Sequence, residues 1–290
     1  MLIDLDGVTI AATDEGAGPA VLLLHGWPDT ADLWRHQLPA LTAAGYRAIA
    51  LDLRGAGGSS RPAEVSAYAA QNLVADVLGV LDHLGLDRAH LIGHDFGAAV
   101  GWLTAALAPD RVASLTALSV GHPAAFANAG WRQREKSWYM LLFQFPGIAE
   151  RWLSADGFRN FREWSGHPDA DRVVARLADP AALTAGLNLY RAMLPPAALV
   201  EAPIELPPIQ APTLGVWSSA DLALTEVQMT GSAPYVAGSW RYERLDGAGH
   251  WMQLDAPDQV SGLLLDFLAE QSRAPQPVVA PHPTVTRSSP

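Results

Sequence analysis

The pentapeptide Gly93-His94-Asp95-Phe96-Gly97 constrains this chain more than any other stretch. It follows an apolar run, Ala89 to Ile92, and precedes a small-residue segment, Ala98 to Leu107, that reads as a helix. Strand, sharp turn and helix in that order push the central side chain out at the top of a parallel sheet, and the flanking residues must lack a Cβ that would clash. Gly93 and Gly97 meet that need, so Asp95 takes the apex. The free N–H groups at the start of the following helix favour negative charge beside them, so Asp95 is expected to stay ionised. A carboxylate is a poor nucleophile toward amides and esters, because attack would make an anhydride. It can displace a leaving group at a saturated carbon and form an ester, which points to epoxides or alkyl halides. The same pattern also occurs in ordinary loops, so the rest of the chain must supply partners.

The surrounding pattern is that of alternating strands and helices. Residues 2–10 and 20–24 read as strands separated by a turn at Asp14 to Pro19, and Val21-Leu22-Leu23-Leu24 is apolar enough for a buried central strand. A helix over 31–43, a strand over 46–51, a glycine-rich loop from Asp52 to Ser59 and a long helix over 66–84 follow; Leu73, Val77, Val80, Leu81 and Leu84 recur at helical spacing. The next strand after the elbow helix is expected over 114–120. Such alternation implies right-handed crossovers, a mostly parallel sheet and a site outside the strands' carboxyl ends. From about Gly121 to Pro208 the strand rhythm gives way to aromatic-rich helical segments over 131–143, 148–153 and 183–193, an insertion that reads as a helical cap. After a proline cluster the alternation resumes with strands over 213–217 and 240–245 and helices near 225–230 and 257–269. The Pro-rich tail, 271–290, is expected to be disordered.

Composition excludes several classes. A chain of 290 residues that is 49% hydrophobic and 17% charged can bury a large core. Without cysteine there is no disulfide, thiolate nucleophile or cysteine-based metal site. The net charge of −11 argues against nucleic acid or an anionic membrane as partner. No apolar run approaches the ~18 residues of a membrane span, and the acidic start of the chain does not resemble a signal peptide, so a cytoplasmic location is expected.

A nucleophile on such a turn calls for an acid and then a histidine later in the chain. His250 lies in Asp246-Gly247-Ala248-Gly249-His250-Trp251, just past the last strand, and Asp221 lies in the loop after the strand before it. Asp221 is the choice for the group that orients His250. Asp246 and Asp255 read better as turn and cap residues, and Asp52 as a brace for its own loop. His94 adjoins the apex but points elsewhere, which gives it a structural role. Oxyanion donors would be the backbone N–H groups of Phe96 and Trp27. The Trp27-Pro28 bond is a candidate for the cis form.

The elbow, the His25-Gly26-Trp27-Pro28 turn, the Asp221 loop and the His250 loop together resemble the α/β-hydrolase superfamily, specifically its epoxide hydrolases, over the first strand to about residue 270. The resemblance implies an α/β-hydrolase fold: a mostly parallel central sheet flanked by helices, with a helical cap inserted after the sixth strand. Residues 1–120 and 209–270 would form the core and 121–208 the cap. It further implies no cofactor or metal, and a carboxylate that opens an epoxide to an ester which histidine-activated water then hydrolyses to a vicinal diol.

An epoxide's alkoxide leaving group needs a proton donor. Tyr139 and Tyr190 resemble the two cap tyrosines that supply it in that family. Haloalkane dehalogenases commonly carry tryptophan after the nucleophile and fluoroacetate dehalogenases arginine; Phe96 provides neither donor nor charge. Aromatic residues of the cap suggest an apolar pocket for a small hydrophobic epoxide, with Trp27, Phe96, Trp138, Phe143 and Trp251 expected to line it. A dehalogenase and a non-catalytic binding protein on the same scaffold are the alternatives. A homodimer stays open.

Overall fold

The computed structural model describes residues 1–199 and 205–273. Eight strands, β1 (Leu2–Leu5), β2 (Val8–Glu15), β3 (Ala20–Leu24), β4 (Arg47–Leu51), β5 (Ala89–His94), β6 (Val112–Leu118), β7 (Thr213–Ser218) and β8 (Trp240–Leu245), form one sheet. Its order is β1-β2-β4-β3-β5-β6-β7-β8, antiparallel at the β1/β2 and β2/β4 pairs and parallel from β4 onward.

Both faces of the sheet are covered, and β3 shows how. Leu22 and Leu24 face one core cluster and Val21 and Leu23 the other, the period of two that a strand imposes. The first cluster packs against α2 (Ala70–His83) and α3 (Phe96–Leu107), and the second against α1 (Gln37–Ala43) and the C-terminal helix. Among the described residues six α-helices stand between β6 and β7: α4 (Pro123–Ala127), α5 (Trp131–Lys136), α6 (Trp138–Phe143), α7 (Ile148–Ser165), α8 (Ala170–Leu177) and α9 (Pro180–Met193). Three more follow: α10 (Glu226–Thr230), α11 (Met252–Asp255) and α12 (Pro257–Arg273). Among the described residues no helix is long and apolar enough to cross a membrane.

Several expected boundaries shift for identifiable reasons. The strand expected over 2–10 is a hairpin, because Asp6-Gly7 turns the chain with Gly7 at φ 80°. The helix expected over 31–43 begins as a separate 3-10 turn, Ala31–Trp34, and that over 66–84 likewise begins as the turn Val65–Tyr68. The segment over 131–143 divides at Ser137 into α5 and α6. The segment expected over 148–153 runs on to Ser165, broken where Asp156, Gly157 and Phe158 take positive φ. α8 was not expected: it is only eight residues long, three of them charged, and of its apolar residues Val173 and Leu177 alone are fully buried. Gln271 to Arg273, expected to begin the tail, instead end α12; the rest of the tail, and residues 200–204 of the expected cap, lie outside the described residues.

Candidate active site

The site is assembled where β3, β5, β7 and β8 end. Asp95 terminates β5 and caps α3 at φ 51°, ψ −120°. A Cβ on Gly97 would collide with the backbone carbonyls of Leu24 and His25, and one on Gly93 with the carbonyl of Gly97. The two glycines therefore let α3 start hard against β3, which places Asp95 beside the turn after β3. Gly26 serves the same approach from the other side, since a side chain there would occupy the space of the Asp95 carboxyl. The Trp27 N–H then donates to Asp95 Oδ1 at 3.0 Å, and the Phe96 N–H also holds the carboxylate. The Trp27-Pro28 peptide is cis.

His25 fixes this turn: its Nε2 accepts from the Leu53 N–H at 2.9 Å, leaving Nδ1–H to donate to the Gly26 carbonyl at 2.7 Å. Asp52 braces the neighbouring loop by accepting from the N–H groups of Ala31 and Gly58, as its sequence context suggested.

Asp221 Oδ2 accepts from His250 Nδ1 at 2.9 Å, and its Oδ1 takes the N–H groups of Ala223 and Leu224, both at 2.8 Å. His250 Nε2 lies 3.8 Å from Asp95 Oδ2, too far for a hydrogen bond. Asp95, Asp221 and His250 are thus brought together, while Asp246 pairs with Arg244 at the surface and Asp255 holds the Gly249 N–H of the histidine loop. His94 has the structural place expected of it, with Nε2 bonded to the His250 carbonyl at 2.9 Å; Ser119 Oγ donates to the same carbonyl.

Burial dominates the electrostatics. Asp95 is 7% exposed, and burial pushes its carboxyl above the ordinary range against the pull of His250 and the two N–H groups. Burial also opposes charge on His250, but the carboxylates of Asp221 and Asp95 outweigh it and raise the imidazole to about 9. The Asp221 carboxyl is held low despite burial by His250 and its two backbone N–H partners. Tyr139 and Tyr190, each 2% exposed, are pushed well above 10 by burial and nearby negative charge. Both stay neutral and able to donate.

Asp95, His250, Tyr139, Tyr190, Trp27 and Trp251 line one small cavity. Tyr139 comes from α6 and Tyr190 from α9, and Arg191 locks the two helices together through the Phe143 carbonyl and Glu150 of α7. Three expected lining residues do not reach the cavity. Phe143, one helical turn after Tyr139, packs behind Trp27, Tyr139 and Tyr190 at ring separations of 5.0–5.5 Å. Trp138 points outward and is 45% exposed. The Phe96 ring meets the edge of Tyr190 at 4.7 Å and leaves only its backbone N–H toward Asp95. Phe161, Trp164, Ser165, Leu222 and Ala223 take those places. Phe161 and Trp164 stand after the break in α7, whose one trace in the sequence is Asp156-Gly157.

A second buried cluster adjoins the first. Asp29 accepts from Trp251 Nε1 at 2.8 Å and contacts His167 Nε2 at 3.2 Å, linking the α7–α8 turn to the residue after His250. Among the described residues no three acidic or histidine side chains gather as a metal-binding group.

A mostly parallel sheet with a nucleophile position at one strand-to-helix turn, and an acid and a histidine on the loops after its last two strands, defines an enzyme of the α/β-hydrolase class. The family model described as the alpha/beta hydrolase fold matches residues 19–257. Epoxide hydrolase A of Mycobacterium tuberculosis is 37% identical over 92% of this chain and 96% of its own. The crystal structure of epoxide hydrolase A from Mycobacterium thermoresistibile is 33% identical and superposes with a TM-score of 0.77 over 93% of this chain and 97% of that one. The Bacillus megaterium epoxide hydrolase, solved with an inhibitor, is 26% identical with a TM-score of 0.84 over 93% and 100% of the two chains. The chain belongs to the epoxide hydrolase family of α/β hydrolases.

Proposed function

We propose that this enzyme converts hydrophobic epoxides and water to vicinal diols through an ester on Asp95, with residues 121–208 acting as a cap over the core. The observation that carries the reading is the tyrosine pair. Two neutral hydroxyls line the same cavity as Asp95, and an epoxide needs such donors because its ring oxygen leaves as a strongly basic alkoxide.

In the first step an Asp95 oxygen bonds to an epoxide carbon. The ring C–O bond breaks, its electron pair stays on oxygen, and that oxygen takes a proton from Tyr139 or Tyr190. The aspartate charge disappears in this step, removing one of the carboxylates that hold His250 protonated. The imidazolium, held less tightly, gives its proton through solvent to the tyrosinate, which restores the tyrosine and leaves His250 neutral. Neutral His250 then takes a proton from water as the oxygen adds to the Asp95 carboxyl carbon. The N–H groups of Trp27 and Phe96 stabilise the oxyanion, while Asp221 holds the imidazolium. Collapse breaks the ester C–O bond, the departing alkoxide takes the proton held by His250 to complete the diol, and the Asp95 carboxyl passes its own proton to His250.

One feature favours a second reading, a dehalogenase. The Trp27 indole N–H has no partner, as a halide donor would require, although it abuts the backbone of Gly186. Product analysis on styrene oxide, a chloroalkane and fluoroacetate separates the two. Diol without halide is expected, and halide without diol would overturn the proposal. Tyr139→Phe and Tyr190→Phe should each slow ester formation, by up to about 10²-fold, and together remove it. A single turnover in ¹⁸O-water should leave the label in Asp95 and not in the diol.

A further inference from the structure

We propose that Gln133 and Lys136, on α5, are positioning residues for Asp221, acting on the hydrolytic half of the reaction; this rests on the aspartyl-ester reading above. The loop after β7 is anchored from two sides. On the inside, the Asp221 carboxylate gathers the N–H groups of Ala223 and Leu224 and meets His250. On the outside, α5 takes the backbone of the same loop. Lys136 Nζ donates to the Asp221 carbonyl. Gln133 Nε2 donates to the Ala223 carbonyl at 2.9 Å, and its Oε1 accepts from both the N–H and the hydroxyl of Thr225, each at 2.9 Å.

With Ser137 Oγ on its second N–H, the buried Gln133 amide has all four of its hydrogen-bonding positions filled. No water is needed to complete it, so the amide fixes three loop atoms at once. Lys136 is the chain's single lysine, half-buried, and its ammonium goes to a neutral carbonyl although the chain carries 30 acidic side chains. Three residues beyond it stands Tyr139. One short stretch of the inserted segment therefore carries a proton donor for ester formation and also holds the acid that orients the base for ester hydrolysis.

Loss of the outer anchor frees Asp221 to shift, and a shift of about 1 Å at an orienting group costs up to about 10²-fold in the step it serves. Ester formation does not pass through Asp221 and keeps its rate. The test follows the two steps by stopped-flow fluorescence, for which Trp27, Trp164 and Trp251 line the cavity, with intact-protein mass spectrometry on styrene oxide. Lys136→Met should slow ester hydrolysis about tenfold, keep ester formation within about twofold and accumulate the adduct, while Lys136→Arg should recover most of the loss. Gln133→Leu should act in the same direction more strongly; Lys136→Met, at a half-buried position, keeps the test independent of any folding defect in that variant. A proportional fall of both steps, no change in either, or no advantage of arginine over methionine would overturn the assignment. If neither the native protein nor His250→Gln forms an ester with styrene oxide, the aspartyl-ester reading itself fails; an ester that forms and decays alike in all variants removes only the role of α5.

Discussion

Asp95 is held at a positive φ that a non-glycine residue adopts only at a cost of about 1–3 kcal/mol, with a buried carboxylate added to the strain. Asp95→Asn keeps the backbone turn and an oxygen for the Trp27 N–H but removes the proposed nucleophile. Turnover is expected to fall by at least about 10⁴-fold while the urea midpoint stays equal or rises. Asp95, Asp221 and His250 were legible because each stands in a glycine-marked or polar loop just past a strand, where a side chain has little else to do. Gln133 and Lys136 bond backbone carbonyls of a distant loop, and a backbone atom has no signature in a sequence. Phe96, Trp138 and Phe143 failed as pocket aromatics for a related reason. Spacing tells which residues share a helix face, as Tyr139 and Phe143 do, but not which of them reaches the cavity and which packs behind it.

The elements that were easiest to read are those whose packing demands repetition: apolar β3, and α2 with its helical stripe. The inserted helices follow no such rule, because they close over the sheet in short pieces and one of them is broken in the middle. The seam between α3 and β3 allows almost no variation. Gly97→Ala would drive a methyl group into two backbone carbonyls that cannot retreat, and a loss of about 3 kcal/mol or more is expected from urea unfolding. The seam between the α7–α8 turn and the core is polar. His167→Ala leaves the buried Asp29 with one partner fewer and should cost about 1–3 kcal/mol. Because Asp29 also holds Trp251, the same variant should perturb the cavity wall, readable as a shift in intrinsic fluorescence.

At the scale of the whole molecule, buried histidines set the acid limit of the fold. Burial lowers His90 and His122 to about 4 and His94 to about 3, from an ordinary 6.5. The unfolded chain binds these protons first, so their contribution is complete above pH 6.5 and is lost as pH falls toward 4 and 3. His250 has the opposite sign: raised to about 9, it stabilises fully below pH 6.5 and loses that contribution as pH rises to about 9. From these groups the thermal midpoint should peak near pH 6.5, and His250→Gln should flatten the alkaline side alone. The helices over the sheet have one more consequence, for timing. With Asp95 7%, His250 4% and both tyrosines 2% exposed, a substrate of several carbons is expected to reach them through a parting of those helices. If that parting limits turnover, friction from the surrounding liquid enters the rate. Turnover should then fall as sucrose thickens the medium, and a glycine placed in the joints between the helices should make the enzyme faster and less sensitive to viscosity.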